Sequence, residues 1–96
     1  MNKTLKIALL AGFFGLFTSV AKADIVIEGR AVSANHEGGN TYIKCKRKHA
    51  ECIRIVSSTV VINFDDGTQE TIFNIDGYEV LSENETDIDV VIYGGN

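Results

Sequence analysis

The sequence predicts an all-β fold, a small single-domain antiparallel sandwich, roll or partly closed barrel of about six short strands with one disulfide. Three observations lead there. From Asp24 onward the apolar residues are mostly Val and Ile and recur at every second position, which is the strand period and not the helix period. Glycine-bearing turn signals, Asp66-Gly67 and Asp76-Gly77, separate those runs. The two cysteines, Cys45 and Cys52, are separated by six residues in a chain whose start reads as an export signal.

That signal comes first in order. Lys3 and Lys6 precede an apolar run from Ile7 to about Val20, and Ala21-Lys22-Ala23 supplies a small-x-small cleavage site. The run is about 14 residues, against the roughly 20 needed to cross a bilayer, so stable membrane insertion after cleavage is not expected. No cysteine follows the cleavage site to take a lipid. The expected organisation is a cleaved signal over residues 1–23 and a β domain over residues 24–96, free in the periplasm or secreted. Its 73 residues suit one domain and exclude a cofactor fold with a separate substrate domain.

Within the domain, Ile25 and Ile27 alternate with Val26 and Glu28, predicting a first strand over 25–32. The polar, glycine-containing stretch 33–40 reads as a loop. Residues 41–46 and 52–56 predict two strands that pair antiparallel, with Cys45 opposite Cys52, Lys46 opposite Glu51, and a reversal around Lys48-His49. A short helix over 48–56 competes, against the β-branched Ile53, Ile55 and Val56. Residues 59–65 and 69–75 predict a hairpin about Asp66-Gly67 that buries Phe64 or Phe73. After Asp76-Gly77 comes a strand over 78–81, then a polar loop over 82–86 and a last strand over 87–93, with Ile88, Val90 and Ile92 on one face.

In an exported chain Cys45 and Cys52 are expected to form a disulfide. Around them lies the densest charge in the protein: Lys44, Lys46, Arg47 and Lys48, followed by His49. The signal removes three of the nine basic residues and none of the 13 acidic ones, so the mature chain holds six against 13, a net charge of −7. Four of those six basic residues are in this one segment, whereas residues 79–89 carry five acids and no base. An acidic body repels phosphate backbones, so nucleic acid is not an expected partner.

Several kinds of chemistry are disfavoured. Cys45, His49 and Cys52 have a spacing that could hold zinc or copper, with His36 or Glu37 as a fourth ligand, but exported cysteines oxidise and no metal is expected. The spacing is also not the C-x-x-C of a redox site. The two Asp-Gly turns lack the alternating acids and terminal glutamate of a calcium loop. Ser33, Ser57 and Ser58, with His36 or His49, come without a nucleophile's strand-turn-helix setting, so no catalytic residue is assigned and no enzyme or cofactor is expected.

What remains is a binding role. The residues singled out for contact are Lys44, Lys46, Arg47, Lys48 and His49, presented as a disulfide-closed cationic point to an anionic envelope or extracellular component, or to a protein partner. If that point is only a solvated turn, the acidic stretch 79–89 is the next candidate surface. The alternatives are a secreted antimicrobial or toxin-like effector, for which −7 is an unfavourable charge, and a small enzyme inhibitor presenting the stapled loop.

Overall fold

The computed structural model describes residues 24–96, so the expected export signal over residues 1–23 lies outside the described residues. The fold is all-β, with six antiparallel strands in one sheet that does not close. They are β1 (Ile25–Glu37), β2 (Asn40–Val56), β3 (Thr59–Asn63), β4 (Gln69–Ile72), β5 (Ile75–Glu83) and β6 (Asp87–Gly94).

The organising element is the long hairpin of β1 and β2. Along one edge of β2, β1 runs the whole length, from Ile25 opposite Ile55 to Glu37 opposite Asn40. Along its other edge the first half of β2 pairs β6, which pairs β5, and the second half pairs β3, which pairs β4. Both halves turn their apolar residues to one core: Ile43, Val90 and Ile92 from the first, Ile53, Val60 and Ile62 from the second. The sheet therefore bends about the middle of β2, and the sequence shows why it can. Opposite Gly29 the partner register jumps from Glu51 to Lys46, so residues 47–50 leave the ladder together. At Gly29 φ is +131°, and a Cβ there would lie 2.4 Å from the Lys46 carbonyl oxygen, an approach that glycine alone permits.

Several sequence expectations are corrected. Residues 33–37 are strand, not loop: Gly38-Gly39, with φ of +62° and +82°, form the two-residue turn of the first hairpin. Residues 41–46 and 52–56 do not pair with each other; they are consecutive stretches of β2, both paired to β1, and Lys46 and Glu51 are not ladder partners. Asp76-Gly77 is not a turn but sits in β5 at a register shift, and the chain turns earlier at Asn74, whose φ is +58°. The hairpin about Asp66-Gly67 forms, from Val60 opposite Ile72 to Asn63 opposite Gln69. Its core residues are Val60, Ile62 and Ile72; Phe64 only packs against the margin, and Phe73 is 54% exposed.

Candidate functional site

The loop 44–52 starts and ends in the core. Cys45 and Cys52 are bonded to each other with their Cα atoms 6.0 Å apart, and neither is exposed. A continuous strand would carry residues seven apart to roughly 23 Å, so the disulfide requires the excursion of 47–50. A second register shift, between Ile27 and Glu28, leaves Cys52 as the extra residue beside Ile53, and both turn inward. Arg30 on β1 closes the base of the loop by donating from Nη1 to the Glu51 carbonyl oxygen at 2.6 Å. With both sulfurs in the disulfide, the Cys45, His49, Cys52 set offers no thiolate to a metal. Among the described residues no group of three or more His, Cys, Asp or Glu side chains converges as a metal site would require.

The exposed tip carries Lys46, Arg47, Lys48 and His49. Arg47 reaches the turn between β5 and β6: its backbone N–H donates to the Thr86 carbonyl at 2.9 Å, Nε to the Asn84 carbonyl at 2.7 Å, and Nη2 to Glu83 Oε2 at 2.6 Å. Lys48 reaches the turn between β3 and β4 and pairs with Asp65, whose carboxyl is held below its ordinary pKa by the hydrogen bond and charge of that ammonium. In that turn Asp66 accepts from the Thr68 hydroxyl and backbone N–H, which also lowers its pKa. Lys44, on the sheet, has its Nζ 3.3 Å from Asp89 Oδ1. Among the described residues Lys46 and His49 form no ion pair.

The loop is thus less a free cationic point than a junction. The basic run and the acidic stretch, distant in the chain, are brought side by side by the pairing of β2 with β6, where Lys44 faces Asp89 and Lys46 faces Asp87. Exposed ion pairs of this kind are screened and individually weak. Their effect is to hold three turns as one surface: residues 47–50, 64–68 and 83–87.

A second cluster joins residues that sequence reasoning did not connect. His36 Nε2 lies 2.7 Å from Glu70 Oε2, and His36 Nδ1 lies 3.0 Å from Thr41 Oγ1. In the neutral ring with Glu70 accepting from Nε2–H, Nδ1 accepts from the Thr41 hydroxyl. His36 and Thr41 are cross-strand partners beside the Gly38-Gly39 turn, so reading that turn correctly was the signal that would have paired them. Thr41 is only 2% exposed, which withholds its hydroxyl from a substrate. The cluster ties the first hairpin to β4.

The disulfide is compatible with an oxidising extracellular or periplasmic compartment. Among the described residues no helix is long and apolar enough to cross a membrane. No protein-family model matches the chain, and no curated protein or solved structure matches it significantly.

Proposed function

We propose that this chain is an exported interaction module that works by binding, without a reaction of its own, and that the loop 44–52 is its contact element. The observation that supports this most is the fastening of the loop. A disulfide closes its base, and Arg47 and Lys48 anchor its tip to two other turns. A surface ordered before contact loses little freedom on binding. The partner is an acidic envelope or extracellular component, or a protein bearing acidic groups, met by the groups of the loop tip that form no ion pair in the fold, the Lys46 ammonium and the His49 ring. Arg47 and Lys48 contribute mainly by positioning them. The same rigidity favours a second reading, in which the loop is offered to an enzyme as an inhibitor.

The test is a pair of variants in capture from the native envelope. Lys46→Gln with His49→Ala should abolish partner recovery with little change in melting temperature, because neither side chain forms an ion pair within the fold and solvated charges contribute little to stability. Recovery equal to that of the wild type would place the contact surface elsewhere.

A further inference from the structure

The face of β1, β2, β6 and β5 turned away from the core carries two rows of side chains in register. One row runs Asn35, Tyr42, Val91, Glu79; the next runs Ser33, Lys44, Asp89, Ser82. Between them is a cleft of about 230 Å³, lined by Ser33, Asn35, Tyr42, Lys44, Leu81 and Asp89. Leu81 reaches it because the β5 register shifts between Val80 and Ser82, which makes Leu81 the extra residue.

Three properties of the cleft define what fits. Its walls are an aromatic ring and an aliphatic side chain, Tyr42 and Leu81, 38% and 51% exposed, which turn apolar surface to the cleft. Its charges cancel, since Lys44 and Asp89 lie 3.3 Å apart, so neither an anion nor a cation is selected. Asp89 Oδ2 accepts from the Ser82 hydroxyl at 2.9 Å, whereas Oδ1 is buried and accepts no hydrogen bond, the Lys44 ammonium being near but misaligned. With Oδ1 buried beneath the Lys44 ammonium, the oxygen this half-exposed carboxylate turns outward is Oδ2, which has a further lone pair for a neutral donor arriving from the cleft. The volume is below the roughly 300–1,000 Å³ of sites for drug-sized ligands and leaves room for a single ring.

A ring with an apolar face, hydroxyls that both donate and accept, and no net charge is a pyranose. We propose that this cleft is a subsite for one neutral sugar unit of an extracellular or envelope glycan. The apolar face of the ring lies on Tyr42 and against Leu81, one hydroxyl donates to Asp89 Oδ2, and the Lys44 ammonium and Asn35 amide bond the neighbouring hydroxyls. The site is argued from its own geometry and does not depend on the tip of the loop 44–52.

The experiment is an amide-resolved NMR titration of the mature domain with the methyl glycosides of glucose, galactose, mannose and N-acetylglucosamine, and with linear oligosaccharides of any that bind. For so few ligand atoms the expected affinity is on the order of millimolar. Saturable shifts should centre on residues 33, 35, 42, 44, 81 and 89. Tyr42→Ala, Leu81→Ala and Asp89→Asn, each checked for an unchanged fold by its own spectrum, should each weaken binding about tenfold or more, while Lys46→Gln leaves it intact. Tighter binding of an oligosaccharide identifies a glycan as the source, and equal binding of the single sugar identifies a free one. The proposal is overturned if no sugar shifts these residues at tens of millimolar. It is equally overturned if the shifts survive all three variants, or if inorganic phosphate or tetramethylammonium binds the cleft in place of sugar.

Discussion

Replacing Gly29 by Ala tests how the central bend is built. The backbone at Gly29, with φ of +131°, lies in a region that side-chain-bearing residues adopt at a cost of about 1–3 kcal/mol. The new Cβ would sit 2.4 Å from the Lys46 carbonyl oxygen and 3.2 Å from its carbon. Both are backbone atoms next to Cys45, which the disulfide holds, so the overlap is relieved only by shifting the base of the loop, at about 1–3 kcal/mol. The lower entropy of the unfolded alanine chain returns about 0.4–1 kcal/mol. The net loss is about 1–5.6 kcal/mol, centred near 3, a large share of the ~5 kcal/mol available to a small domain, and at that centre lowers the melting temperature by about 12–24 °C. Urea unfolding followed by far-ultraviolet circular dichroism measures it, with Gly38→Ala as the control. Gly38 also has positive φ but nothing within 4 Å of its added Cβ, so the control loses only about 1 kcal/mol. If Gly29→Ala is no more destabilising than Gly38→Ala, the close approach of β1 to the loop base is not what shapes the bend.

Three further predictions follow from the fold. Cys45→Ala with Cys52→Ala should lower stability by about 2.5 kcal/mol, the chain-entropy value for so short a loop, and thiol reagents should not label the unreduced wild type; labelling of both cysteines would contradict the bond. Ile62→Ala, at a fully buried position, should cost about 2–5 kcal/mol, and Phe73→Ala, on the exposed side of the turn after β4, less than about 1 kcal/mol; the reverse order would mean the faces are misassigned. Acid should destabilise the domain, because Glu51, beside Arg54, and Asp65 and Asp66 are all held below their ordinary values of 4.5 and 3.8. Their contribution is complete above those values and is lost as pH falls through the lower folded-state ones. The urea midpoint should therefore fall below about pH 4.5, less steeply in Asp65→Asn, and a flat midpoint down to about pH 3 would refute the assignment.

The strand class and the identity of the core were legible because alternation survives burial of one face: Ile88, Val90 and Ile92 point inward as their spacing implies. The disulfide was legible from cysteine chemistry. Its setting was not, because a cysteine pair seven residues apart fits a hairpin and a four-residue excursion equally well. Only the long-range partner, β1 with Gly29, distinguishes them. Residues 33–37 read as loop because they are polar, yet polar residues suit the exposed end of a hairpin. The Gly38-Gly39 pair was the better guide there. For the loop site, composition revealed the cations but not their neighbours. The clustering of bases at 44–48 and acids at 79–89 was itself the signature of β2 beside β6. The cleft above Asp89 was invisible in sequence, since it needs four strands in register and one bulge.

On the reading proposed above, the fastened loop is where the chain meets its partner. Site-specific photo-crosslinking tests it most directly. The mature protein would carry a photoreactive residue at position 49 on the loop tip or, as a control, at position 56 at the exposed end of β2, and would be irradiated in contact with the native envelope. A discrete adduct is expected from position 49, none from 56, and loss of the adduct when Lys46→Gln is added. An adduct from 56 and none from 49 would contradict that reading.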